Sequence, residues 1–218
     1  MNVPPVDDLI DRLAADAKPV RPLASPLKRA LKTLALLALG GGIAVLARGD
    51  AERLLARYAG REGIMALELA AMLATGVLAV TAAFFVSVPG RSRRWLLAPI
   101  PPFLLWLFLS GLGCYGDWVR NGPIGLEIGH SLDCLLFILA TSIFLAPLLI
   151  WRLSRAAPID PLPVALLGGL GIAALAAFLL NFFHETDVTV IDLAVHLVAI
   201  LLVVAATGLL NRRTLAPA

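Results

Sequence analysis

Residues 111–134 read GLGCYGDWVRNGPIGLEIGHSLDC. The stretch is polar and rich in glycine, and it holds both cysteines of the chain, Cys114 and Cys134. Long apolar runs flank it on either side. A polar interval between two such runs is the pattern of a hairpin joining two membrane helices, with one cysteine at each rim. The rest of the chain repeats the pattern. Of the 218 residues, 60% are hydrophobic, against about 45–50% in a soluble domain. The excess is gathered into long uncharged runs rather than spread through a core.

Outward from the hairpin, six spans are expected, at roughly 30–47, 63–87, 95–114, 131–151, 162–183 and 189–210. The fold class is therefore all-α: a polytopic membrane protein of six transmembrane helices with short loops. Pro99, Pro101 and Pro102 are expected to bend the first half of the third span. Trp95 and Trp151 sit where interfacial anchors belong, Trp106 in a lipid-facing or core position, and Glu68 near an outer interface that reaches water. The transmembrane domain covers residues 28–213, between an N-terminal segment, 1–27, and a short tail, 214–218. Asp7, Asp8, Asp11 and Asp16 and several prolines replace any apolar core of a cleavable signal, so the N-terminus is expected to persist. There is no internal repeat.

Sidedness follows from the basic residues. Thirteen of the eighteen Lys and Arg residues fall in the N-terminal segment, the 88–94 turn, the 152–161 linker and the tail. That excess places both termini in the cytoplasm and the cysteine hairpin outside, in the periplasm of an inner-membrane protein. The four arginines of the 48–62 loop run against the trend. The net charge is only +3, and the basic residues flank the spans instead of forming an Arg-rich face. Direct nucleic-acid binding is not expected.

In the N-terminal segment, Val6, Ile10, Leu13 and Ala17 fall at helical spacing with Leu9 and Ala14 beside them, and Asp11, Arg12 and Asp16 take the other side. This is a short amphipathic helix. About ten residues do not hold a helix alone in water, so it needs a partner. Its acidity argues against a membrane surface as that partner. The basic turn PGRSRR, with Arg91, Arg93 and Arg94, reads as a topogenic signal against lipid phosphates or as a docking element.

The residues with chemistry gather at the hairpin side. His130 precedes Cys134 by four residues and so shares its helix face. His184 ends the fifth span on the same side, and Asp117, Asp133 and Asp187 lie close in sequence. Two cysteines and two histidines at one membrane rim suit a soft or borderline ion such as Cu⁺, Cd²⁺ or Zn²⁺, though the spacing matches no compact zinc motif. A disulfide and inert buried thiols remain open readings. Asp192 and His196, four apart in the last span, pair with one another or line an ion path.

Several segments together resemble one family. They are DDLIDRLAADAKPVRPL, SVPGRSRRWLLAP, GCYGDW with GHSLDC, RAAP, NFFHETD and the pair His196–Leu197. In this order the chain resembles, over nearly its whole length, the NrsF family of integral-membrane anti-sigma factors. The resemblance implies an extracytoplasmic-function sigma factor held at the inner membrane and released under metal or oxidative stress. The family's sensing cysteines fall on Cys114 and Cys134, and its histidines on His130, His184 and His196. No cofactor is obligatory, membrane lipid is the other partner, and no small-molecule substrate is implied. On this footing Leu9, Ile10, Leu13, Asp11 and Arg12 form the sigma-binding helix, helped by Arg91, Arg93 and Arg94. The rival readings are a membrane thiol oxidoreductase and a small proton-linked transporter. The first wants a CxxC or a second redox pair, and the second usually has repeated halves. The chain shows none of these, so it is read as a regulator and not an enzyme.

Overall fold

The computed structural model describes residues 6–16, 22–50, 52, 55, 56, 59, 62–121, 128–183 and 190–214; several helical positions within these, Cys114, His130 and Cys134 among them, are described as backbone only. The described residues form seven α-helices: α1 (Val6–Ala15), α2 (Pro26–Arg48), α3 (Glu62–Val86), α4 (Ile100–Asn121), α5 (Ile128–Ser154), α6 (Pro161–Leu180) and α7 (Val190–Thr214). A single 3₁₀ turn, Arg93–Leu97, precedes α4. Five segments are long and apolar enough to cross a bilayer: α2, most of α3, Arg93–Gly113, Leu135–Ser154 and α6. In α7 the apolar helical stretch among described residues is the shorter Leu197–Thr207.

The helix ends follow local chemistry. Ser25 caps α2, its Oγ accepting from the Lys28 N–H at 3.4 Å, with Pro26 in the first turn. Pro lacks an N–H and is pre-set for that position. In the third span the helix is interrupted at Ala98–Pro99, between the 3₁₀ turn and α4, within the half where the prolines are expected to bend it. Pro101 and Pro102 fall in the first turn of α4, where no intrahelical N–H is needed. Between α3 and the 3₁₀ turn, Val88–Arg91 closes with Arg91 N–H donating to the Val88 carbonyl at 3.4 Å, and Gly90 takes φ +79°. Pro followed by a residue at positive φ is the type II turn pattern, which favours glycine at the third position. Gly90→Ala is expected to lower stability by about 1 kcal/mol, read as a lower thermal midpoint in detergent with the helical signal unchanged at low temperature.

The core is organised on α6. Twelve of its twenty residues are buried, mostly alanine, glycine and β-branched residues. It packs against α3, α5 and α7, while α3 also carries α2 and α4. Between apolar helices in lipid, small residues let backbones come close and gain dispersion contacts. At Gly171 a β-carbon would lie 2.7 Å from Val80 Cγ2 and 3.0 Å from the Val80 backbone nitrogen. On the α7 side, a β-carbon at Gly169 would meet the Thr207 hydroxyl and lie 2.8 Å from Val204 Cα. Thr207 Oγ1 donates to the Val203 carbonyl of its own helix at 2.8 Å and lies 3.3 Å from the Ala165 carbonyl of α6. Trp106 is a core residue, 3% exposed and edge-on to Phe103. Trp95 stacks on Phe85 with centroids 4.1 Å apart.

Candidate functional site

Two ends of the bundle carry the residues of interest. At one end lies the α4–α5 hairpin. The sequence reading put a cysteine at each rim of a 24-residue loop, but both helices run further into that interval. Helix α4 continues past Cys114 to Asn121, and α5 begins at Ile128, before His130 and Cys134. The polar residues from Tyr115 to Asn121 are compatible with helix, and Gly122–Pro123, next in the sequence, is a helix-stop signal. Cys114 and Cys134 therefore each sit on helical backbone, roughly 10 Å of helix rise from the nearer hairpin end. Counted along the chain, Cys114 is seven residues before the end of α4 and Cys134 six residues after the start of α5.

The packing around these helices is specific. Among the described residues α4 packs on α3 and more lightly on α7, and α5 packs on α6 and α7. Helix α7 is thus the neighbour common to both cysteine-bearing helices. Its first two turns, with Asp192 and His196, lie toward the hairpin end. The side chains of Cys114, Asp117, His130, Asp133, Cys134, Asp192 and His196 lie outside the described set, as do residues His184 and Asp187 entirely. Among described residues no group of three or more His, Cys, Asp or Glu side chains is placed to hold a metal ion.

One polar contact at this end was not anticipated. Glu68 does not reach water: it is 6% exposed, and its Oε1 accepts from Ser110 Oγ of α4 at 2.6 Å. A carboxyl in an apolar bundle is held by such contacts because leaving it unmatched costs several kcal/mol. Ser110 precedes Cys114 by four residues, one helical turn. The Glu68–Ser110 bond thus ties α4 to α3 one turn inward of the cysteine. The sequence signal was Glu68 itself, an acid inside an apolar run; nothing in the sequence named its partner. Ser110→Ala is expected to destabilise the bundle by about 1–3 kcal/mol, measured as a lower unfolding midpoint in detergent, with Ser110→Thr retaining most of it.

The opposite end holds the basic turn and the start of α2. Arg93 pairs with Asp160 at 3.1 Å, joining the 88–94 turn to the linker before α6; both side chains are solvated, so the pair is worth at most about 1 kcal/mol. Arg91 and Arg94 are exposed. Helix α1 has no buried residue, and Val6, Leu9, Ile10 and Leu13 leave its apolar stripe open, with Asp11 and Arg12 also exposed. The predicted binding elements are therefore surface groups, while Cys114, His130 and Cys134 are placed by helical backbone alone.

Comparison with curated proteins and with solved structures finds no match for this chain. A family model described as NrsF, negative regulator of sigma F, matches residues 13–216, most of the chain from within α1 to beyond α7. On that match the chain belongs to the NrsF family of negative regulators of a sigma factor.

Proposed function

We propose that the protein is an inner-membrane anti-sigma factor. It sequesters an extracytoplasmic-function sigma factor on its cytoplasmic face and releases it when metal or oxidant reaches Cys114 and Cys134 on the periplasmic side. The observation that carries the binding half is α1: an amphipathic ten-residue helix whose apolar stripe is left uncovered by the rest of the described chain. A helix this short needs a partner surface to be stable, and family membership supplies the class of partner. The positive-inside bias supports placing α1 in the cytoplasm.

The sensing half is supported by the similar count of residues from each cysteine to its helix end beside the hairpin, and by α7 packing on both helices. Thiolates are soft ligands for Cu⁺, Cd²⁺ and Zn²⁺, and His130, one turn from Cys134, with His184 adds imidazole donors of the kind that suits zinc and copper. Metal joining the two sulfurs, or a disulfide formed with a periplasmic oxidant accepting the two electrons, fixes the spacing of α4 and α5 around α7. Rigid helices carry that change to the basic end, where Arg91, Arg93 and Arg94 help seat the sigma factor. Asp117, Asp133, Asp187, Asp192 and His196 are assigned supporting roles around the donors.

The test is co-purification of the sigma factor with the full-length protein in detergent, before and after Cd²⁺, with bilayer-impermeant thiol labelling of spheroplasts alongside. The expected result is a complex that dissociates with Cd²⁺ and cysteines that label from outside. A complex unaffected by metal removes the sensing half alone. Absence of any complex removes the whole reading.

A further inference from the structure

The end of α2 that carries no cysteine holds a basic pocket of about 320 Å³. Arg29 and Lys32 of α2 and Trp151, Arg152 and Arg155 at the end of α5 line it, and none of its lining residues is acidic. Arg29 is 8% exposed. Its Nη2 donates to the Arg152 carbonyl at 2.6 Å and its guanidinium lies 5.0 Å from the Phe84 ring centre. Its Nη1 is buried without a hydrogen-bond partner among the described residues, and so is Arg152 Nε. Arg155 lies over Trp151, 4.3 Å from the ring centre. The buried guanidinium of Arg29 and the half-buried one of Arg152, each with a buried N–H donor unmatched among the described residues, call for an anion, because an unpaired buried donor or charge is costly.

A second, separate cavity lies further along the same helix. A groove of about 550 Å³ runs along α2 from Leu34 to Leu46, facing Val77 of α3, Leu145 of α5 and Phe178 of α6. Every residue lining it is apolar. Those α2 positions span roughly 18 Å of helix rise, a little more than half of the roughly 30 Å hydrocarbon core. A cationic pocket at the span's end and an apolar groove about one leaflet deep on the same helix match in turn the head group and the acyl chain of a phospholipid.

We infer that the α2–α5 seam binds an anionic phospholipid, its phosphate on Arg29, Lys32, Arg152 and Arg155 and an acyl chain in the groove beside Gly42. Basic pockets between membrane helices recognise anionic head groups by charge and by Arg geometry. The ligand is a lipid and not free phosphate because the pocket lies between the ends of two helices long and apolar enough to cross a bilayer, where head groups gather. The inference rests on the membrane embedding of this bundle and not on sigma binding, so its failure leaves the regulatory reading intact.

The experiment is native mass spectrometry of the full-length protein in mild detergent, with phosphatidylglycerol, phosphatidylcholine and inorganic phosphate as probes. Two variants avoid the buried Arg29. Lys32→Gln with Arg155→Gln removes two exposed cations of the pocket. Gly42→Leu fills the groove at a position where an added β-carbon meets nothing within 4 Å. The parent is expected to retain one phosphatidylglycerol in preference to phosphatidylcholine. The double variant is expected to lower that retention by about 30-fold, and Gly42→Leu to lower retention of both lipids. Equal retention of the two lipids by the parent overturns the inference. So does displacement of phosphatidylglycerol by inorganic phosphate, unchanged retention in both variants, or a two-chain mass without lipid.

Discussion

Replacing Leu9 and Leu13 together with aspartate is expected to switch the sigma regulon on without any stress. Both side chains lie on the uncovered stripe of α1. Burying a leucine against a partner contributes about 1.5–3 kcal/mol, so losing two weakens the complex by about 10²–10⁴-fold. Placing carboxylates in the contact adds a desolvation cost in the same direction. The bundle itself should be unaffected, since no residue of α1 is buried in it. A reporter for the regulon, read together with membrane abundance of the variant, checks this. A silent reporter at normal abundance would mean that α1 is not the sigma-binding element, and the basic turn would become the leading alternative.

The second large effect concerns the sulfurs. Cys114→Ser and Cys134→Ser are each expected to abolish induction by Cd²⁺ while leaving repression in unstressed cells intact. The double variant should look like either single one, because a bridge needs both ends. Driving a two-state equilibrium from about 1:99 to 99:1 requires about 5.5 kcal/mol of preference for one state. Structural zinc sites reach about 10–16 kcal/mol with a full ligand set, whereas one thiolate offers a single ligand and no cross-link. The readout is the dose–response of the same reporter. A single variant that responds like the parent would sink the thiol trigger and move attention to His130, His184 and His196.

Much of the architecture was legible because the signals were long. Apolar runs of twenty residues separated by polar turns have few physical interpretations, and the helix-long apolar elements fall where those runs are. Local chemistry was legible at Pro89–Gly90, where residue type dictates backbone shape. What failed was the ends of α4 and α5. The residues from Tyr115 to Asn121 are polar by content but not helix-breaking, and hydropathy marks where hydrocarbon ends, not where a helix ends. Pairing across the bundle was also invisible: no pattern in sequence joins Glu68 to Ser110 or Arg29 to Arg152. Nor does connectivity announce that α7, last in the chain, is the neighbour shared by α4 and α5. The family motifs marked the candidate sensing residues, but those motifs are a likeness between sequences and carry no distances.

That shared neighbour has a further consequence. Under the proposed mechanism, α7, which packs on both arms of the hairpin, serves as a wedge whose thickness sets the rest distance the arms must leave. Ala199 is wholly buried on α7, and a larger side chain at such a position would thicken it. Under the proposed mechanism, the concentration at which the alarm trips is then a property of alanine-sized packing on α7. Chains with the same two thiols but a bulkier or slimmer wedge would be tuned to different levels of insult without any change in ligand chemistry.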